Sequence, residues 1–153
     1  MLQKRKKGAA VQQKQLDITL VTPTAAMSAK SYGGRAKCLQ RLVRLDLPVP
    51  RTVALSFKAV HKIASGSPVD VNAILGYFDH SDLLCVRPSS QSADWGGPGA
   101  VLNIGMNKAR YALLCGTLGA EAAAILYLSF VQAYSIHVAR LDADIFDHIK
   151  GQD

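Results

Sequence analysis

Ser31-Tyr-Gly-Gly-Arg-Ala-Lys37 sets two consecutive glycines at the head of an amphipathic run, Arg35 to Leu45. In that run Leu39, Leu42 and Val43 share one helical face, and Lys37, Gln40, Arg41 and Arg44 lie mainly on the other. The glycines predict a turn over residues 31–34, and the run predicts a helix that Pro48 and Pro50 end. A glycine pair directly before a helix leaves backbone N–H groups pointing outward, where the helix dipole is positive. That end suits a phosphate, and Arg35 and Lys37 add formal charge there. The plainer reading is a turn with exposed cations, since the segment is neither a Walker A loop nor a full GxGxxG.

On the N-terminal side, Leu16 to Val21 alternates with period two, which predicts a strand stopped by Thr22-Pro23. On the other side, Thr52 to Leu55 reads as a strand. Ser56 then caps a helix that turns Phe57, Val60, Ile63 and Ala64 inward. Asp70 caps a short helix with Val71, Ile74, Leu75 and Phe78. Leu83 to Val86 predicts a buried strand, and Val101 to Gly105 another extended piece. Asn107 caps a helix from Lys108 to about Thr117. Gly119 separates it from the longest one, about Ala120 to Ala139, and Asp142 caps a last short helix ending near His148. This order predicts an α+β domain with a mixed sheet and helices concentrated in the C-terminal half. The sense of individual strand pairs stays open.

A second segment breaks the ordinary pattern. Val86-Arg87-Pro-Ser-Ser-Gln-Ser-Ala-Asp94-Trp-Gly-Gly-Pro-Gly99 puts an arginine at the end of an apolar strand. Such a guanidinium is held rigidly and offers phosphate two parallel hydrogen bonds. The loop after it is rich in serine and glycine and suits folding over a nucleotide. The alternative is a plain surface loop with a strand-end arginine. Trp95 is expected to anchor that loop rather than stack on a base.

Composition limits the classes. The chain has 153 residues, 49% hydrophobic and 19% charged, too apolar for disorder and long enough to bury a core. Lysine and arginine number 18 against 11 acids, a net charge of +7. Lys4, Arg5, Lys6, Lys7 and Lys14 supply much of it, and outside the first 14 residues the balance falls to 13 against 11. Residues 1–15 therefore read as a basic flexible tail. It has no interleaved aromatics, so nucleic acid is not the expected partner. Glu121 is the sole glutamate, leaving little carboxylate for metal or general-base work. Cys38, Cys85 and Cys115 form no CxxC pair, which predicts free, mostly buried thiols and a reducing compartment. The longest apolar stretch, Ala122 to Val131, falls short of the roughly 18 to 20 residues of a membrane span. No signal-peptide core follows the basic start, so a cytoplasmic location is expected.

The two unusual segments share a pattern with one family. Gly33-Gly34-Arg35-Ala36-Lys37-Cys38-Leu39, then Leu45-Asp46-Leu47-Pro48-Val49-Pro50, resembles the opening of pyruvate, phosphate dikinase and phosphoenolpyruvate synthase. Those proteins begin G-G-K-G-A-N-L and continue L-G-L-P-V-P-P-G-F. Val86-Arg87-Pro88-Ser89-Ser90 is similar to their V-R-S-S loop. Val101-Leu102-Asn103-Ile104-Gly105-Met106-Asn107 is similar to V-L-N-L-G-L-N, and Leu126 to Val138 to their Y-R-R-F-I-Q-M-Y helix. The blocks occur in order from about Gly33 to the C-terminus.

The resemblance implies that residues 16–153 are the N-terminal part of an ATP-grasp nucleotide-binding domain. It implies ATP and Mg2+ as ligands, with the magnesium ligands outside this chain. It names Gly33, Gly34, Arg35, Arg87, Ser89 and Ser90 as nucleotide phosphate-binding residues, serving phosphoryl transfer. Several positions depart from the family. Arg35 stands for its lysine, Ala36 for its second motif glycine, Pro88 for a serine, and Ala93 for one acid of a Glu-Asp pair. The family's metal ligands, phosphohistidine domain and pyruvate-binding barrel lie further along than 153 residues reach. His61, His80, His137 and His148 lack the context of a phosphorylated histidine. The alternative is a binding module that kept the fold and lost the activity. A chain carrying the missing domains, or self-association through exposed apolar surface, completes the set of expected partners.

Overall fold

The computed structural model describes residues 18–90 and 99–146. The basic tail, Asp94 and Trp95 of the loop, and the end of the last predicted helix lie outside them. The elements run β1 (Ile18–Leu20), α1 (Ala29–Arg44), β2 (Val53–Leu55), α2 (Phe57–Ala64), α3 (Val71–Leu75), β3 (Leu84–Val86), β4 (Val101–Ile104), α4 (Lys108–Leu118) and α5 (Ala120–His137). The molecule is α+β. The expected mixed sheet is replaced by two separate antiparallel pairs among the described residues, β1 with β2 and β3 with β4. The helices are not concentrated in the C-terminal half either. Among the described residues α1, α2 and α3 hold nearly as many helical residues as α4, α5 and the start of a last helix at 144–146, where Asp142 accepts the Asp144 N–H.

Local chemistry sets most of these boundaries. Ser56, Asp70 and Asn107 accept the N–H of Ala59, Ala73 and Arg110 through their side chains, each three residues on. These bonds satisfy N-terminal amides that no helical carbonyl reaches. Gly119 joins α4 to α5 in one residue, at φ 87, a value that glycine adopts without cost.

The N-terminal half holds the small core. Val21, Met27, Ala36 and Ala54 are buried there, with Tyr32, Leu39 and Val43 packed around them. Thr52 O accepts the Val21 N–H at 2.9 Å, extending the β1–β2 pairing by one residue. Gln40 corrects the sequence reading. Its place on the polar face of the amphipathic run predicts exposure, yet it is wholly buried. Helical spacing puts it beside Ala36 and Val43, and its polar atoms are all satisfied. Nε2 donates to Thr22 O (3.1 Å) and Ala25 O (2.6 Å), and Oε1 accepts from Lys37 Nζ (2.7 Å).

In the C-terminal half α5 packs on β4, and α4 packs against α5. The strands slip by one residue, with Leu84 opposite Ile104 and Val86 opposite Val101. Asn103 supplies the extra residue at φ 53, a left-handed conformation that asparagine tolerates. Its Nδ2 donates to Leu126 O at 3.0 Å and so ties β4 to α5. β3 is not buried as expected, and Val86 is 62% exposed. Val86 faces the same side as Phe130, Tyr134 and Val138, across an open apolar groove that these side chains do not fill. The thiols also differ from expectation: Cys38 and Cys85 are exposed, Cys115 is half-buried, and all three are free.

Candidate phosphate-binding site

The two unusual segments meet. α1 is a helix in two parts, because Gly33 leaves helical geometry at φ 84 and ψ 166. The expected turn over residues 31–34 is therefore a break within a helix that starts earlier, at Ala29, where Ser28 Oγ accepts the Ser31 N–H. Helix resumes at Gly34, and its first amides need acceptors. Gly33 has no side chain to provide one. The segment after β3 does so from 53 residues away. Ser89 Oγ accepts the Ala36 N–H at 3.2 Å, and Ser90 O accepts the Gly34 N–H at 2.9 Å. Arg35 Nη1 donates to Pro88 O at 2.6 Å.

Gly33 is required for this approach. A Cβ on it would overlap the Ser89 hydroxyl and lie 2.6 Å from the Ser89 carbonyl carbon and oxygen. Neither distance is compatible with a real side chain, so the Ser89 backbone sits where only a glycine leaves room. The adjacent Gly34 differs. A Cβ there would find Ser90 O at 3.9 Å, an ordinary contact.

The electrostatics favour an anion. Residues 18–45 and 83–93 contain no aspartate or glutamate, while Arg35 and Arg87 are exposed cations within them. Arg87 directly follows β3, and among the described residues no hydrogen bond engages its guanidinium. Two expectations change. Lys37 does not add its charge at the helix start, because its Nζ turns back to Met27 O (3.0 Å) and Gln40 Oε1 (2.7 Å). The Gly34 and Ala36 amides, expected to point outward and free, already have acceptors in Ser90 and Ser89.

Five of the six predicted residues are thus brought together, Gly33, Gly34 and Arg35 on one side and Ser89 and Ser90 on the other; Arg87 lies two positions before Ser89 in the chain, and no contact among the described residues ties its guanidinium to them. Gln40 is the residue that sequence reasoning missed as an organiser. Its i, i+3, i+4 relation to Ala36, Leu39 and Val43 was the available signal. Among the described residues, the site offers magnesium no protein ligand of its usual kind. A hard cation calls for carboxylate oxygens, and the constellation has none. No group of three or more potential metal ligands occurs among the described residues. No helix of the described residues is long and apolar enough to cross a membrane. No family model, curated protein or solved structure matches the chain.

Replacing Ser89 by alanine removes an N-cap supplied from a distant segment. The expected cost is about 1 kcal/mol of unfolding free energy. The Ala36 amide should exchange its hydrogen faster in the variant, while the Leu45 amide, at the other end of the helix, keeps its protection. Unchanged exchange at Ala36 would mean that Ser89 does not cap this helix in solution.

Proposed function

We propose that this chain holds the phosphate groups of a nucleotide, as the ATP-binding portion of a phosphotransferase resembling pyruvate, phosphate dikinase. The observation that carries this reading is the convergence of the Gly33-Gly34-Arg35 helix start and the Arg87-to-Ser90 segment. The Arg35 and Arg87 guanidinium groups and the Ser89 hydroxyl offer donors there, and among the described residues of the two segments there is no carboxylate. Phosphate oxygens are acceptors only, so every group in this set complements them. The role of these residues is to bind and orient the phosphates and to offset their charge, which is most of what a protein contributes to phosphoryl transfer. The constellation supplies neither a carboxylate for a metal nor a histidine acceptor. The expected activity of the isolated chain is therefore binding without turnover.

Calorimetric titration with ATP and magnesium tests the reading. Saturable binding is expected, weakened at least about tenfold in Arg87→Ala through loss of a charge-assisted, bidentate contact. A folded wild-type chain that takes up no ATP sinks the proposal.

A second reading has its own observation. The Gly34 and Ala36 amides are already bonded to Ser90 and Ser89, which suits a structural joint in a non-catalytic binding module. Under that reading ATP binding is absent, and Arg87→Ala leaves protein-partner binding intact.

A further inference from the structure

Charge divides unevenly along the chain. Residues 18–69 hold eight lysines and arginines against one acid, Asp46, whereas residues 70–153 hold five against nine acids. Such asymmetry between halves points to a polyanionic partner for the basic one. The fold holds several of these cations in place with their charge intact. Arg35, Lys37, Arg44 and Arg51 donate to the backbone carbonyls of Pro88, Met27, Pro23 and Tyr77. A carbonyl fixes a cation without neutralising it. Large apolar side chains stand open beside such cations at the end of α1. Arg41 and Leu45 are four residues apart on the exposed side of that helix, in line with Gly34 and Cys38. The chain then turns at Asp46, at φ 54, and passes through Leu47, Pro48 and Pro50, all exposed, to Arg51. Leu47 is 49% exposed and Leu45 69%, more than any other large apolar side chain among the described residues.

We propose that this tip docks on the surface of an anionic phospholipid bilayer. Leu45 and Leu47 enter the boundary between headgroups and acyl chains, and Arg41, Arg44 and Arg51 hold the lipid phosphates. Two arguments select that partner. Charge complementarity calls for an anionic surface, because one acid faces eight cations in this half. The leucines then favour a bilayer over a nucleic acid. Nucleic-acid phosphates would satisfy the arginines and leave both leucines in water, whereas a bilayer takes cation and apolar side chain together. Tyr32 and Phe57, the tyrosine and phenylalanine of residues 18–69, are half-buried, so neither offers an open face to a base. The tip lies at the other end of α1 from Gly34, and the inference holds whether or not nucleotide binds.

Co-sedimentation of the full chain, without nucleotide, with vesicles of mixed phosphatidylserine and phosphatidylcholine tests it. Saturable binding is expected, falling as salt rises and absent on phosphatidylcholine alone. Arg41→Ala should weaken it about fivefold, the share of one surface cation. Leu45→Ser should weaken it about tenfold, through the apolar area no longer withdrawn from water. Val71→Ser, at an exposed apolar position in the acidic half, should leave it unchanged. No binding to the anionic vesicles overturns the proposal. So does equal binding to phosphatidylcholine alone, or binding indifferent to both Arg41→Ala and Leu45→Ser, which the basic tail by itself would explain. Preferential binding of duplex or single-stranded nucleic acid, unaffected by Leu45→Ser, overturns it as well. Should Leu45→Ser lose helical circular dichroism, Leu47→Cys decides, in a chain whose native cysteines are serines and with an environment-sensitive dye on the new thiol. The dye's emission should shift to the blue on the anionic vesicles, and unchanged emission overturns the docking.

Discussion

Gly33→Ala should lower the unfolding free energy by about 2–4 kcal/mol, a substantial fraction of a typical domain's margin of roughly 5–15 kcal/mol. Two terms add. The backbone at φ 84 and ψ 166 lies in a region that is essentially glycine-only, at roughly 1–3 kcal/mol for any other residue. The new methyl would also run into Ser89, whose backbone atoms leave 2.6 Å, so the 88–90 segment must move away. That movement breaks the bonds from Gly34, Ala36 and Arg35, and phosphate binding should fall with them. Gly34→Ala is the matched control. Its Cβ makes an ordinary contact at 3.9 Å, and replacing a helical glycine by alanine gains up to about 1 kcal/mol. Urea denaturation of the two variants should therefore give opposite signs. Equal destabilisation by both would refute the close approach of Ser89 to Gly33.

The second large effect is expected at Gln40. Gln40→Leu keeps roughly the same volume but removes the amide that Thr22 O and Ala25 O share, and leaves Lys37 Nζ short of one acceptor. Thr22 O keeps the Ala25 N–H while Ala25 O loses the Gln40 amide; an unsatisfied polar group costs about 1–3 kcal/mol, so a loss of about 2 kcal/mol is expected. The neighbouring Arg41→Ala, on the exposed side of the same turn, should change stability by less than about 0.5 kcal/mol. A thermal midpoint shift in Gln40→Leu no larger than in Arg41→Ala would show that the buried amide contributes no net stability. Gln40 also ties α1 to the 22–25 turn, so its loss should loosen the helix start that faces Ser89.

These predictions turn on residues of different legibility. Ser56, Asp70 and Asn107 were readable as caps because a cap is a local bond, made three residues away by the residue's own side chain. The helix boundaries followed for the same reason. Gln40 was misassigned because a polarity pattern ranks side chains by solvation, and a glutamine whose every donor and acceptor is matched has no need of water. Lys37 was misread similarly, as its ammonium finds Met27 O and Gln40 within the fold. The exposure of Val86, Cys38 and Cys85 was not legible either. A residue is buried only where other structure covers it: Cys38 lies on an uncovered side of α1, Cys85 on the strand face turned from Val86, and the groove between Val86 and α5 stays open.

Ser89 supplies the clearest division. The sequence alone determined that Gly33-Gly34-Arg35 and Arg87-to-Ser90 are unusual, what chemistry each can offer, the α+β class and most element ends. All of these depend on residues within a few positions of each other. That Ser89 would cap the helix restarting at Gly34, that Ser90 would accept the Gly34 amide, and that Leu45 and Leu47 would stand exposed at the end of α1 were decided by tertiary structure. An amide takes any acceptor brought within reach, and which acceptor arrives from 53 residues away depends on how the two halves close.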